Sequence, residues 1–151
     1  MVSRIERGEV HASAVVFDRL CAGLGITLSE LFARETPTPL LRRAEQPVWR
    51  DPSSLYLRRE VALARSGSPV RIVEIEFPPG AEVTFAPYPD RISEQHVWLL
   101  EGELEIATGG TVHALVAGDC LHMRVADGNG FHNRGSKAAR YLVILVREPS
   151  P

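Results

Sequence analysis

The sequence predicts a mainly β fold, a sandwich or barrel, preceded by a short all-α segment. Three observations carry this. Beyond Val48 the apolar residues alternate with polar ones in short runs. The separators between those runs are rich in glycine, proline, aspartate and asparagine, the residues of turns. Only the first 35 residues show helical spacing. At 151 residues the chain can bury one hydrophobic core with a helical attachment, and two full-sized domains would be tight.

In chain order, Val2 to Arg7 reads as the last turns of a helix ending at Gly8, where a left-handed conformation is sterically cheap. Ser13 caps a second helix. Its apolar residues Val16, Phe17, Leu20, Cys21 and Leu24 form one stripe, and Gly23 and Gly25 close it. Thr27 and Glu30 have the spacing of a capping box, with Leu28, Leu31 and Phe32 as the inward face of the next short helix. Pro37 and Pro39 lack backbone donors and end the helical pattern, so residues 36–47 read as a linker between a helical segment, 1–35, and a β domain, 48–149. Strands are expected at Leu55–Leu63, Val70–Phe77, Ala81–Phe85, His96–Ile106, Thr111–Leu115, Asp119–Val125 and Tyr141–Val146.

Charge and cysteine usage narrow the class. With 17 basic and 19 acidic residues the net charge is −2, so any binding of a polyanion must be local. Cys21 and Cys120 lack CxxC spacing and sit in segments of different expected structure, which reads as free thiols in a reducing compartment. Arg4, Glu6 and Arg7 stand where a signal peptide needs an apolar run, and no window approaches the ~20 apolar residues of a membrane span. The expectation is a cytoplasmic protein with no membrane partner.

The N-terminal residues "SRIERGE", followed by "FDRLCAGLGITLSELF", resemble the second half of the helix-turn-helix domain of xenobiotic-response-element (XRE) family repressors. The resemblance implies DNA as a partner. It makes Ser3, Arg4 and Arg7 the end of a recognition helix, within reach of phosphates, and expects the helices before it to be supplied upstream. Residues 1–35 hold four arginines against five acidic side chains, so this segment alone should bind duplex DNA poorly.

The stretches "PPGAEVTF", "EQHVWLLEGELEI" and "GDCLHMRVADGNGFHN" resemble a cupin, a small β-barrel of jelly-roll type. Aligned on Gly102, the resemblance puts Gln95 where cupins carry a metal-binding glutamate, and the paired histidines among Ala86, Tyr88 and Asp90. Aligned on Gly118, it puts Arg124 at a proline, Ala126 at a glycine, Asn129 at the fourth ligand and Asn133 at an asparagine. Neutral amides bind first-row metals far less well than imidazole or carboxylate, so no metal and no cofactor is expected. His96 and His132 have the opposite strand parity to Gln95 and Asn129, which points them outward. His122 is left open.

In this register Gln95, Val97 and Leu99 on one strand and Asn129, Phe131 and Asn133 on another face the interior. Phe85 and Tyr88 lie near the mouth, with an arginine, Arg124 or Arg71. Apolar walls with a few amides suit a small-molecule pocket. Trp98, of outward parity, is a candidate for contact between two subunits. The two resemblances together imply a one-component transcription regulator, not an enzyme: a homodimer whose metal-free barrel binds an effector. The alternatives are a metal-dependent cupin dioxygenase or isomerase, and a stand-alone cupin binding module. A metal-free isomerase would need an acid and a base, for which His122 with Glu74 is the pairing that offers itself.

Overall fold

The computed structural model describes residues 12–26, 28–31, 39–62, 69–87 and 93–147. Helices α1 (Ala14–Leu24) and α2 (Leu28–Leu31) come first, then a 3-10 turn at Arg43–Glu45. Ten strands follow: β1 (Val48–Arg50), β2 (Leu57–Ala62), β3 (Val70–Phe77), β4 (Glu82–Phe85), β5 (Ser93–Glu101), β6 (Glu103–Thr108), β7 (Thr111–Val116), β8 (Cys120–Arg124), β9 (Asn129–His132) and β10 (Ala139–Arg147). They form two antiparallel sheets, β1-β2-β3-β10-β5-β8 and β4-β9-β6-β7, which face each other as a jelly roll.

Two details depart from the predicted runs, and each has a local cause. The run from His96 to Ile106 is broken into β5 and β6 at Gly102, where φ is +82° and a Cβ would come within 2.8 Å of the Ala138 carbonyl oxygen. Only glycine fits that bend. β1 is additional to the predicted strands, and at three residues it is too short to show alternation.

The core lies between the sheets. Val73, Ile75, Phe77, Val97, Leu99 and Tyr141 come from the larger sheet, and Val83, Leu104, Ile106 and Phe131 from the smaller. Ala14 of α1 belongs to the same buried cluster, so the helix is packed into the barrel's core.

Helix α1 begins and ends as its sequence dictates. The Ser13 side chain accepts from the Val16 N–H, and Gly25 takes φ +69°. Its buried face differs from the predicted stripe: Ala14, Asp18 and Cys21 are buried, whereas Leu24 is 69% exposed. Positions i, i+4 and i+7 lie on one line along a helix. That line is turned inward because the Ala14 N–H donates to the buried carboxylate of Asp51 at 2.8 Å. The second Asp51 oxygen accepts from the Ser54 N–H at 2.8 Å and from the Ser54 hydroxyl, which fixes the turn between β1 and β2. Of the second expected helix, Leu28–Leu31 is helical, while Thr27 and Phe32 lie outside the described residues.

The linker segment is fastened to the outer face of the larger sheet. Both terminal nitrogens of Arg43 donate to Glu74, at 3.0 and 3.4 Å, and Arg59 and Arg140 approach the same carboxylate at 3.5 Å. Burial alone would raise the Glu74 carboxyl, but the Arg43 hydrogen bond and the three guanidinium charges hold it below the ordinary carboxylate range.

Candidate functional site

The register of the larger sheet fixes which side chains share the barrel interior. One inward row runs Arg71 (β3), Leu145 (β10), Gln95 (β5), Met123 (β8), and the next runs Glu60 (β2), Val73, Val143, Val97, Leu121. On the facing sheet the inward row at the corresponding end is Phe85, Asn129, Thr108. The two ends correspond because successive inward residues of β9 follow β10. Asn133 bonds to the Phe77 carbonyl and Phe131 stacks on Tyr141 at 5.9 Å, which carries Asn129 towards Val143 and Leu145. Arg71, Gln95, Asn129 and Thr108 are thus the polar side chains in the inward rows at this end.

Both carboxamides are only 7% exposed. Neither has a hydrogen-bond partner among the described residues, although buried amides are normally satisfied. They still touch open space, since the fully enclosed side-chain polar atoms without partners belong to Gln46 and Arg59 among the described residues. Two neutral amides do not make a donor set for a divalent metal. Among the described residues no group of three or more histidine, cysteine, aspartate or glutamate side chains is placed to hold one.

Other predicted pocket residues fall into different environments. Phe131 is buried, and Phe85 is half-buried with its ring edge-on to Phe131 at 6.3 Å. Val97 and Leu99 are fully enclosed in the core. Arg124 is corrected: it pairs with Glu94 on the outward side of β5 and β8 and is exposed, because Met123 takes the inward place. Asn133 is also corrected. It is fully buried and its hydrogen bonds are spent on the backbone, Nδ2 donating to the Phe77 and Lys137 carbonyls at 3.0 and 2.8 Å and Oδ1 accepting from the Gly135 N–H at 2.9 Å. It clamps the end of β9 and, being fully enclosed, is closed to a ligand. Tyr88, like Ser3, Arg4 and Arg7, lies outside the described residues.

The histidines behave as parity predicts. His96 faces outward, half-buried, and its ring lies 4.9 Å from that of His122, which is exposed and 3.3 Å from Glu94. Glu74 is bound to arginines and His122 to Glu94, so the structure does not bring His122 and Glu74 together as an acid and base. His132 is outward between Glu82 and Glu105.

Sequence reasoning missed an interior ion pair. Arg58 and Glu60 are both buried on the inward side of β2, with a guanidinium nitrogen 2.9 Å from the carboxylate. Burial raises the Glu60 carboxyl, opposed by the charge and hydrogen bond of Arg58 and by the charge of Arg71. The signal was present as opposite charges at i and i+2 of a strand, one side of the pleat, in "LRREVA".

A second concavity lies on the smaller sheet. It is about 520 Å³ and includes the outward residues Glu82, Thr84, Ala107, Gly130 and His132, together with Phe85, Asn129 and Phe131. Gly130 and Ala107, paired across β9 and β6, supply too little side chain to fill it. Beside it Gly128, at φ +68°, lets the chain pass so close that a Cβ would meet the Pro87 nitrogen at 2.8 Å.

An unbroken series of aromatic contacts joins this end of the barrel to helix α1. Phe85 meets Phe131, Phe131 stacks on Tyr141, and Tyr141 meets Phe77 at 6.2 Å. Phe77 meets Tyr56 at 5.8 Å, Tyr56 meets Trp49 at 6.0 Å, and Trp49 meets Phe17 of α1 at 5.7 Å. These separations lie within the range of favourable ring pairing.

Comparison with known proteins agrees with this geometry. No curated protein matches the sequence. Among solved structures, an HTH_3 family transcriptional regulator from Vibrio cholerae superposes over 99% of this chain and 80% of its own, at TM-score 0.78 and 19% identity. The Cupin_2 domain of an XRE family transcriptional regulator from Enterobacter cloacae aligns with 63% of this chain and 98% of its own, at TM-score 0.57 and 17% identity. The polyketide cyclase RemF from Streptomyces resistomycificus aligns with 76% of this chain and 82% of its own, at TM-score 0.57 and 18% identity. The same fold therefore serves regulators and enzymes. Residues 73–145 match the cupin domain family model, Cupin_2, and the β part of this chain is a cupin domain of jelly-roll type.

Proposed function

We propose that the protein is a cytoplasmic one-component transcription regulator. Its metal-free cupin barrel binds a small-molecule effector at the end marked by Gln95, Asn129, Phe85 and Phe131. Its N-terminal segment, including Ser3, Arg4 and Arg7, belongs to an XRE-type helix-turn-helix domain that contacts DNA. The observation that carries this reading is the shared core: α1 is tied to the barrel by the Asp51 carboxylate and by the Phe17–Trp49 contact, at the far end of the ring series that starts at Phe85. A helix held this way feels a change in barrel packing, which is what an effector must exploit. The likeness to an HTH_3 regulator over nearly the whole chain supports the same layout.

The homodimer of this proposal forms through the outward side of the larger sheet. Trp98 is 44% exposed there, with Leu142 opposite it and Ile144 and Ile72 in the adjacent row. An apolar row of this kind on a sheet face suits a subunit contact, since burial against a twin removes it from water. The test is selection of genomic DNA fragments by the protein, followed by affinity measurement on the selected fragment with a metabolite library. A fragment bound in the nanomolar range, with affinity shifted several-fold by a compound that also protects the barrel from thermal unfolding, is expected. Failure to enrich any fragment would sink the proposal.

A further inference from the structure

We propose that His96 and His122 form half of a site for a divalent transition-metal ion of the zinc class, completed by the same two histidines of a second copy of this chain. The ion lies on the outer face of the larger sheet and leaves the barrel interior free of metal. The inference rests on the homodimer proposed above and deepens it, because a shared ion gives the two copies one fixed register. Geometry is the first argument. His96 and His122 are paired directly across β5 and β8, and the flanking pairs Gln95–Met123 and Val97–Leu121 take the inward side, so both imidazoles stand on the outward side. Their ring centres are 4.9 Å apart and the rings are tilted by 37°. Two imidazoles on one tetrahedral ion, with metal–nitrogen distances of about 2.1 Å, have their ring centres about 5 Å apart. The strands hold the pair at the chelating separation before any ion arrives, which cuts the ordering cost of binding.

The neighbours of the pair supply the second argument. Glu94 Oε2 lies 3.3 Å from Nε2 of His122. A carboxylate beside one ring nitrogen favours the proton there and leaves the lone pair of the other nitrogen for a metal, as carboxylates do for metal-bound histidines generally. Imidazole suits zinc, copper and nickel, and not the hard ions calcium and magnesium. The third argument is that the set is incomplete. Among the described residues no third histidine, cysteine, aspartate or glutamate joins the two as a metal-holding group, whereas a closed zinc site takes four ligands. β8 is the edge strand of its sheet, so no further strand flanks His122 on that side. Exposed Trp98 stands two residues along β5 on the same outward side, with Leu142 opposite it. A two-fold axis through the ion turns two imidazoles into four, and the same axis makes the neighbouring apolar row part of an isologous contact.

The experiment takes the full chain, strips it of metal with a chelator, and follows zinc binding by calorimetry and self-association by sedimentation velocity, with and without zinc. One zinc per two chains is expected, with the dimer dissociation constant lowered ten-fold or more. His96→Ala and His122→Ala should each remove the effect of zinc. His132→Ala, on the outer face of the smaller sheet, should keep it, and so should Cys120→Ser, which removes the exposed thiol. Stoichiometry and association of the unaltered chain need no variant to fold. One zinc per chain with association unchanged would overturn the shared site. If His132→Ala or Cys120→Ser costs as much zinc binding as His122→Ala, the ion lies elsewhere and the assignment is wrong. A chain that dimerises equally with and without zinc, and becomes monomeric on Trp98→Ala, removes the metal site and keeps the dimer. A chain that is monomeric under both conditions removes both.

Discussion

Asp51 ties the helical segment to the barrel, and replacing it tests that tie quantitatively. Asp51→Ala removes the acceptor for the Ala14 N–H, the Ser54 N–H and the Ser54 hydroxyl. The Ser54 groups are half-buried and can turn to water, so each loss is worth about 1 kcal/mol. The Ala14 N–H lies in a fully buried residue and is left without a partner, which costs about 2 kcal/mol, the middle of the range for a buried unsatisfied donor. The expected destabilisation is about 4 kcal/mol, or roughly 10 °C in Tm for a chain of this size. Asp51→Asn keeps an acceptor oxygen without the charge and should lose about half as much.

Urea denaturation measures the loss, and fluorescence shows where it acts. The chain has two tryptophans, Trp49 and Trp98. In a Trp98→Phe background the emission reports Trp49, whose ring is edge-on to Phe17 of α1. Asp51→Ala should shift that emission to the red below the global transition, as α1 leaves the barrel. A destabilisation under about 1 kcal/mol, or a Trp49 spectrum unmoved until global unfolding, would refute the claim that the helix is held by this carboxylate.

Three other outcomes are expected. Glu60→Leu leaves the buried Arg58 without its carboxylate and should destabilise by about 3–5 kcal/mol in urea, whereas Arg58→Met with Glu60→Leu should be near neutral, because both desolvated charges go together. Glu74 has a folded pKa below its ordinary 4.5, so its contribution is complete above that pH and is lost as pH falls through the folded value; melting curves of wild type and Glu74→Gln should therefore separate at neutral pH and converge in acid. Asn133→Ala removes the donors to the Phe77 and Lys137 carbonyls and should lower stability by roughly 2–4 kcal/mol, read by thermal denaturation.

Strand parity made much of this fold legible. Once Gln95 was taken as inward, His96 and Trp98 had to face out, and once Asn129 was placed inward by its motif, Phe131 had to face in, as they do. The same rule misled at Arg124, since the motif alignment that placed it near the pocket carried no parity from a neighbouring strand, and only its pairing with Glu94 shows which way it points. The buried face of α1 was misread for a related reason. Hydrophobic spacing picks the greasiest stripe, but the docking of α1 is set by a backbone bond from Ala14 to Asp51, 37 residues away. No local pattern encodes a partner at that separation. The Arg58–Glu60 pair was visible as residues but not as an interior feature, because charged side chains in a strand ordinarily mark its wet side.

The two ends of the ring series bear on how the proposed regulator would work. Phe131 and Tyr141 are stacked within 2° of parallel and cross from one sheet to the other, so a ligand that pressed Phe85 towards Phe131 would disturb that stack. Close-packed interiors absorb little displacement locally. Tyr141 and Phe77 are essentially enclosed, and the next rings with room to move are the partly buried Trp49 and the half-buried Phe17 on α1. A ligand that favours one position of Phe85 over another therefore biases the seat of the helix, and a coupling of about 1–3 kcal/mol would change DNA affinity roughly 5- to 150-fold. Replacing Tyr141 by leucine keeps an apolar core residue while removing the stack, so effector binding should survive and its influence on α1 should fall. If that influence is unchanged, the coupling runs through another route, such as the subunit contact at Trp98, and the ring series is packing alone.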